Sequence, residues 1–576
     1  MAEKGMKFQW TAATPQPALC AQLSAVLKIS PLLAQCLVNR GLTDPDAIAR
    51  FLQPRLKHLS DPFLLPNMAK AVERLLAARE RGELLVIFGD YDVDGVTATA
   101  LLVETLGALG WKLAHYLPHR LEEGYGFSRD AVKNCLERFP AKLILAVDCG
   151  STAHEVIASL GRDGIDVIVL DHHQVSSPPP PAVALVNPQL GAAFHELCSV
   201  GLAFKLAHAI IKRMRDQGLS DSAEPDLRAH LDLVALGTIA DLVPLQGENR
   251  IFVATGLERL SDTQRPGLVA LKAVAKTPVK LRGYEVAFQL APRLNAAGRM
   301  EDAEDALRLL LSRAAAEAAP IAQRLDERNH ERQNIEKAIC KEVMASLHAR
   351  FNSESDFVIV EGDEKWHLGV VGIVAARVLQ EFYRPTVILG GDGAMWRGSG
   401  RSIEGFDLAA ALRECNELLT RHGGHAMAAG VTLAADKVGL FRARLNDLAR
   451  QTLQPAQLQP CLKIEAHVTL ADLTEERIEE LGQMEPVGQS NPAVRLAITG
   501  LTHTRAPQLM GRDNQHVKFH VTDGRRKCEV VWWNAGRRPW PTDTFDLAAI
   551  AEINEFKGRR TIQLKMLDWR NVANQA

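Results

Sequence analysis

Nine cysteines are scattered through 576 residues, and no two form a CxxC pair. That arrangement excludes a zinc ribbon and offers no disulfide framework, so most of these thiols are expected to be small core residues. Cys149, beside Asp148, has no nameable activating base, and packing is its simplest role. Long apolar runs are missing too, since none approaches the roughly 20 residues needed to cross a bilayer. The start, MAEKGMKFQW, lacks a basic stretch followed by an apolar one, so a cytoplasmic chain without membrane contact is expected. No fixed-period repeat is present, which excludes a solenoid. Hydrophobic residues at 47% and charged residues at 24% argue against disorder. A chain this long exceeds one compact core, and about three or four domains are expected.

Net charge is also nearly absent, at -2, but it is unevenly spread. Residues 501–576 carry 13 Lys or Arg against 8 Asp or Glu, a local excess of +5. What the chain does have is four acidic or histidine clusters, each closing a short apolar run. Asp90, Asp92 and Asp94 follow LLVIF, and Asp148 follows LILAV. Asp171, His172 and His173 follow VIVL, and Asp241 follows LGTIA. The first three runs are rich in Val, Ile and Leu and separated by helix-length segments, so they predict buried parallel strands of an open α/β sheet. Ligands collect where such strands end.

The expected architecture is a multidomain α/β chain. Residues 1–80, with Pro-punctuated turns and a closing amphipathic helix, form an N-terminal extension. Residues 81–300 form a doubly wound parallel-sheet domain, opening with alternating strand and helix signals up to about Pro188. Residues 301–350 give a long charged connecting helix with Pro320 as a candidate kink. A second, smaller α/β domain spans 351–453, and LQPAQLQP reads as a linker. Short alternating strands over 460–572 predict an OB-like β-barrel.

Carboxylates and imidazoles gathered at one sheet edge repel one another unless cations sit among them. Two divalent ions roughly 3.5 to 4 Å apart would activate a water and hold a scissile phosphate together. In an extended GDYDVDG turn, Asp92 and Asp94 would point the same way, each toward a different ion. Asp148 ends the neighbouring strand and is the natural bridge. A His and carboxylate mixture without thiolate favours Mn2+ or Mg2+ over structural zinc. His172 is the expected imidazole ligand, leaving His173 to orient substrate or water or to act as general acid or base. The plainer reading of Asp148 is a helix N-cap before GST. A rival chemistry begins with the same residues: a strand followed by DxDG opens haloacid-dehalogenase-type phosphatases, with Asp92 as nucleophile and Asp94 as acid. That rival leaves Asp171, His172 and His173 unexplained.

Taken in order, FGDYDVDGVTA, AVDCG, LDHH, GTIADLVPL, LAPRLNAAGRM, WHLGVVGIVA, RGSGRS and GGHAMAAG resemble the DHH phosphoesterase family, and within it the single-strand-specific exonucleases. The resemblance runs from about residue 50 to 570. It implies Asp92, Asp94, Asp148, His172 and Asp241 as metal ligands, with Asp90, Asp171 and His173 in the same constellation and Asp148 between two metals. The histidine of some members' first motif falls at Phe88 here. Catalytic work is expected of His173, Asp148 and Asp90.

The resemblance also implies a 5′-phosphate site at Arg120, Arg299, Ser399 and Arg401, with His425 facing the active site from the second domain. Guanidinium forks and Gly-rich turns suit phosphate. It further implies single-stranded DNA as substrate, threaded where a duplex would not fit, and a setting in recombination and repair downstream of a helicase. A single-stranded-DNA-binding protein is a further candidate partner. In the C-terminal segment Phe519, Trp532, Trp533, Trp540, Phe556 and Trp569 interleave with basic residues, a pattern shared by nonspecific single-strand binders and by barrel cores. Alternation along a strand predicts that one of Trp532 and Trp533 is buried and the other exposed. The same-fold alternative is a smaller phosphoesterase, and the non-enzymatic one is a homologue that only binds nucleic acid.

Overall fold

A computed structural model describes residues 2–119, 123–124, 126–191, 193–219, 224–300, 302–535 and 538–572. The chain packs as two units. One comprises Arg50–Arg332 with Glu485–Pro492; the other comprises Met1–Ala49, Gln333–Met484 and Ala493–Ala576. Among the described residues no single helix is long and apolar enough to cross a membrane.

The first unit is built on five parallel strands, Leu84–Phe88, Lys112–Tyr116, Leu143–Val147, Asp166–Leu170 and Ala184–Val186. Their spatial order places Leu84–Phe88 between Lys112–Tyr116 and Leu143–Val147. Apolar residues occupy every central position because each face has its own core. Leu85, Ile87, Leu143, Leu145, Val147, Ile168 and Leu170 face one side. Val86, Phe88, Ile144, Ala146, Val167 and Val169 face the other. Burial on both sides removes the polar alternation a half-exposed strand would show. The strand order reverses between Leu84–Phe88 and Leu143–Val147, and the crevice beyond their carboxyl ends is where doubly wound sheets bind ligands.

Three helices, Val93–Ala108, Ser199–Asp216 and Leu231–Ala240, pack together on the first face. An ion network fastens Val93–Ala108 to the start of Leu231–Ala240. Arg265 Nη1 donates to Glu104 Oε1 at 2.6 Å, His230 Nδ1 lies 3.2 Å from Glu104 Oε2, and Arg265 Nε is 3.5 Å from Asp232. Burial opposes ionisation of Glu104, but the hydrogen bonds from His230 and Arg265 outweigh it and bring its pKa down to about 2. A depressed carboxyl contributes stability that is present above its unfolded value, near 4.5, and is lost as pH falls through about 2. Glu104→Gln is therefore expected to cost about 2 kcal/mol at neutral pH, with the difference shrinking across that window. Chemical denaturation at pH 7 and pH 3 measures it; equal losses at both would contradict the charge-based account.

In the other unit a five-stranded sheet is ordered Arg421–His425, Ala428–Ala434, Met395–Arg401, Thr386–Asp392 and Ile359–Asp363. The last two strands pair in parallel and the rest are antiparallel. The C-terminal strands form the barrel: Leu496–His503, Phe545–Phe556, Arg559–Asn571, Lys527–Trp532 and His516–Thr522 follow one another, and Thr502 pairs with Thr522 to close the ring. Trp532 is buried and Trp533 is 50% exposed, as strand alternation requires. Phe519 is core, Phe556 is exposed, and Trp540 and Trp569 are half-buried.

Several expectations meet a different arrangement. Residues 1–49 and 50–80 pack with different units. The reason lies far along the chain: Gln9–Ala12 pairs in parallel with Cys461–Ile464, and Trp10 Nε1 donates to Asp568 at 2.8 Å. The helical stretch after 301 is broken, with Glu304–Leu311 separate from the 36-residue helix Ala315–Arg350, which contains Pro320. That helix belongs to the first unit up to Arg332 and to the second from Gln333. LQPAQLQP is packed rather than loose, since Leu458 lies against a core and its carbonyl accepts from Arg384 at 3.0 Å.

Candidate metal centre

Asp90 and Asp92 leave the end of Leu84–Phe88, and Asp148 leaves the end of Leu143–Val147, so both arrive at the crevice where strand order reverses. Asp92 caps the following helix, its Oδ1 accepting from the backbone of Asp94 at 2.9 Å and of Gly95 at 3.1 Å. The turn is thus not extended through Asp94. Helix begins at Val93, which sends Asp94 inward instead of parallel to Asp92. Gly95 allows this tight entry, since a Cβ there would lie 2.6 Å from the Asp90 carbonyl oxygen.

Asp148 does not cap a helix; the next helix, His154–Arg162, starts after Ala153. Its φ of 64° is left-handed, a strained setting for a side-chain-bearing residue that clusters at functional sites. Asp241 comes from a different kind of element than the other three clusters. LGTIA is the end of helix Leu231–Ala240 rather than a strand, so the four clusters do not all lie on one sheet. Gly237, one turn earlier, lets that helix approach, because a Cβ there would meet Thr97 Oγ1 at 2.4 Å and Asp94 Oδ1 at 3.1 Å.

These elements bring the predicted acids and imidazoles together. His172 Nε2 lies 3.5 Å from Asp148 Oδ1, 3.5 Å from Asp241 Oδ2 and 3.9 Å from Asp94 Oδ2. Asp90, Asp92 and Asp148 form one group with ligand atoms within 4.8 Å of one another; Asp148, His172 and His173 form a second. Asp148 belongs to both. His172 Nε2 and Asp241 Oδ2 are buried with no hydrogen-bond partner, an arrangement that costs free energy unless a cation satisfies it. Burial, followed by the charge of Asp92, pushes Asp94 up to about 6. Burial and the surrounding carboxylates push Asp148 and Asp241 well above the usual range. Burial, and then His173, lowers His172 to about 4, so its ring is neutral at physiological pH and suited to ligation. The donor set therefore fits divalent cations.

Asp171 plays another part. It accepts from the backbone of Ser151, His172 and His173, and from His173 Nδ1 at 2.8 Å. Although buried, it is held below the usual carboxylate range by these bonds and by the histidine charges. Its partner His173, pulled down by burial, is raised to about 9 overall by the Asp171 bond and neighbouring acids. The His173 side chain is 44% exposed, so its ring is fixed at one nitrogen and open on the outer side.

Two neighbours carried no recognisable signal in HELCSVG. Ser199 Oγ donates to Asp148 Oδ1 at 2.8 Å, while the backbone N–H groups of Ser199 and Val200 hold Asp94 at 2.6 and 2.9 Å. One helix N-terminus thus fixes two acids, as its partial positive charge favours. Ser199→Ala is expected to lower kcat about tenfold with KM for substrate unchanged and Ser199→Thr restoring activity. A matching change in KM would deny that Ser199 works through Asp148. Cys198 lies beside Asp94 and Asp241, where burial and those acids keep its thiol neutral. Asn295 Oδ1 also reaches this region, accepting from Val93 at 3.2 Å. Cys149 is buried with its thiol pushed far up, and Phe88 is packed between Tyr116 and Phe127, so neither serves the centre.

The expected phosphate-binding residues do not form one group within a unit. Arg299 ends helix Ala291–Met300 in the first unit, whereas Ser399, Arg401 and His425 belong to the second. Arg120 lies outside the described residues. In the second unit Arg401, Ala428 and His425 occupy one row of three adjacent strands. Arg401 Nη1 donates to Ser399 Oγ at 2.9 Å. Gly372, at the start of helix Val371–Phe382, faces both: a Cβ there would lie 3.0 Å from Ser399 Oγ and 3.3 Å from Arg401 Nη2.

A doubly wound sheet ending in clustered acids and an Asp-His-His turn defines a DHH-type phosphoesterase, and family models agree. The DHH family N-terminal domain matches residues 84–238, the DHHA1 domain 355–451 and the RecJ OB domain 464–568. The chain belongs to the RecJ family of single-stranded-DNA-specific exonucleases. It is 36% identical to RecJ of Bacillus subtilis (strain 168), covering 98% of this chain and 71% of that protein. It is 35% identical to RecJ of Escherichia coli (strain K12), covering 93% and 95%. The crystal structure of RecJ in complex with Mn2+ from Thermus thermophilus matches with a TM-score of 0.83 at 30% identity, over 98% of this chain and 80% of that one. Membership sets aside the haloacid-dehalogenase-type reading, and the convergence of Asp171, His172 and His173 on the acids supplies its structural reason.

Proposed function

We propose that this chain hydrolyses single-stranded DNA from its 5′ end to mononucleotides, using two Mn2+ or Mg2+ ions. The observation that carries the reading is Asp148, shared by the Asp90–Asp92 group and the His172 group. Asp90, Asp92 and Asp148 would hold one ion, and Asp94, Asp148, His172 and Asp241 the other. When bound, such a pair lowers the pKa of water and neutralises charge on the scissile phosphate.

The chain's own groups supply order around that chemistry. The helix N-terminus at Ser199 fixes Asp94 and Asp148, and Asp171 fixes His173. His173, with its outer side open, donates a proton to the 3′ oxygen that leaves phosphorus as water attacks. Arg120 and Arg299 in the first unit, and Ser399, Arg401 and His425 in the second, are each assigned to binding the 5′-phosphate or the strand. We assign residues 81–300 to catalysis, 301–350 to connection, 351–453 to nucleic-acid binding, 460–572 to the barrel and 1–80 to support. The barrel grips the strand without base readout through Trp533 and Phe556, the two exposed rings of its aromatic set. The setting is recombination and repair in the cytoplasm, after a helicase has unwound the duplex and in company with a single-stranded-DNA-binding protein.

Digestion of strands labelled at either end, with Mn2+, Mg2+ or chelator, tests the reading. Label is expected to leave the 5′ end first, only with metal, and far faster from a single strand than from a blunt duplex. Release from the 3′ end first, or equal rates on duplex, would overturn it.

A further inference from the structure

An aromatic pair stands exposed on the first unit, outside every motif discussed above. Tyr284 is 62% and Phe288 is 66% exposed, with ring centroids 4.9 Å apart, and Val279 beside them in sequence is 84% exposed. Large apolar groups left together in water mark a binding surface more often than chance. Lys276, Lys280 and Arg282, just before them in sequence, are also exposed. Rings interleaved with cations are what a strand-binding track needs: bases stack on the rings while the charges follow phosphates.

The pair is also connected to the catalytic crevice by its own backbone. Gly283–Glu285, the π-helical turn Val286–Leu290 and helix Ala291–Met300 are continuous. Positions 284, 288, 292, 295 and 299 recur every three or four residues and share a face. Along this face the exposed Tyr284 and Phe288 give way to the half-buried Pro292, Asn295 and Arg299. Val286, Leu290, Leu294, Ala297 and Gly298 form the opposite, buried side. Asn295 reaches the backbone of Val93 between Asp92 and Asp94, so the face that begins with two rings ends at the metal centre. Phe288 precedes Asn295 by seven residues, about 10 Å along a helix. A π-helical turn within the run is itself a feature found mainly at functional sites.

We infer that Tyr284 and Phe288 are a base-stacking platform that holds the single strand on its way to the metal centre. The inference rests on the exonuclease reading and deepens it. Stacking needs no particular base, in keeping with a nuclease that must degrade any sequence. It sets the strand's position a few nucleotides from the reacting phosphate, so it acts on long substrates and not on the shortest.

The test uses the full chain with Mn2+ and compares wild type with the double variant Tyr284→Ala and Phe288→Ala. Substrates are a long 5′-phosphorylated strand, the same strand with abasic sites beyond its first nucleotides, and a 5′-phosphorylated dinucleotide. The KM for the intact long strand is expected to rise about tenfold or more, whereas the dinucleotide is cleaved with unchanged kcat/KM. On the abasic strand wild type and variant should behave alike, because the bases the rings would hold are gone. Tyr284→Trp with Phe288→Trp should retain wild-type KM. An unchanged KM in an active alanine variant overturns the platform, as does a parallel loss on the dinucleotide or an equal penalty on abasic DNA. Wild-type protein that leaves the long strand intact overturns the exonuclease reading instead, and the platform with it.

Discussion

Asp148→Asn is expected to reduce kcat on single-stranded DNA by on the order of 10³-fold, about 4 kcal/mol of transition-state stabilisation, while leaving the chelated protein no less stable than wild type. Asp148 is 2% exposed and surrounded by Asp90, Asp92, Asp94 and Asp241, which together with burial drive its carboxyl upward. Without cations, this crowding is a cost the fold carries. An amide of the same shape relieves it and still accepts from Ser199. With Mn2+ the order reverses, since a ligand that binds only the folded state stabilises it by mass action. Wild type should therefore gain much more thermal stability from Mn2+ than the variant. Retained activity would remove Asp148 from the bridging position, and marked destabilisation under chelation would make its role structural.

The second large effect is expected at Asp171→Asn, which should lower activity about 100-fold and stability by about 2 kcal/mol at neutral pH. Asp171 accepts three backbone N–H groups as well as His173 Nδ1. An asparagine keeps one accepting oxygen and turns an NH2 group toward buried donors. The loss should fall on kcat with metal affinity little changed, because Asp171 orients His173 and its oxygens are already filled. Mn2+ titration of activity separates the possibilities. A large rise in the metal needed for half activity would mean that Asp171 is itself a ligand.

Much of the centre was legible in the chain because strand ends are local. LLVIF, LILAV and VIVL announce buried strands by composition, and the acids following them stand at the edge by necessity. The alternation of Trp532 and Trp533 and the succession of barrel strands follow equally from a two-residue period. Asp94 was harder, because whether DYDVDG stays extended depends on Asp92 capping a helix. Asp241 falls outside that logic: LGTIA is short and apolar, a run that suits a strand or a buried helix equally, and here it ends a helix.

Ser199, Cys198 and the pairing of the N-terminal strand with Cys461–Ile464 gave no local sign at all, and Asn295, though within LAPRLNAAGRM, gave none of its contact with Val93. Each owes its role to a partner tens to hundreds of residues away. Sequence by itself determined the central strands, the barrel strands and the types of donor atom the chain carries, since periodicity and composition act over a few residues. Tertiary structure alone decided which donors share a cation, which serine and backbone amides hold them, and which aromatic rings remain in water. Those outcomes depend on packing between distant segments, where a shift of one ångström separates a ligand from a bystander.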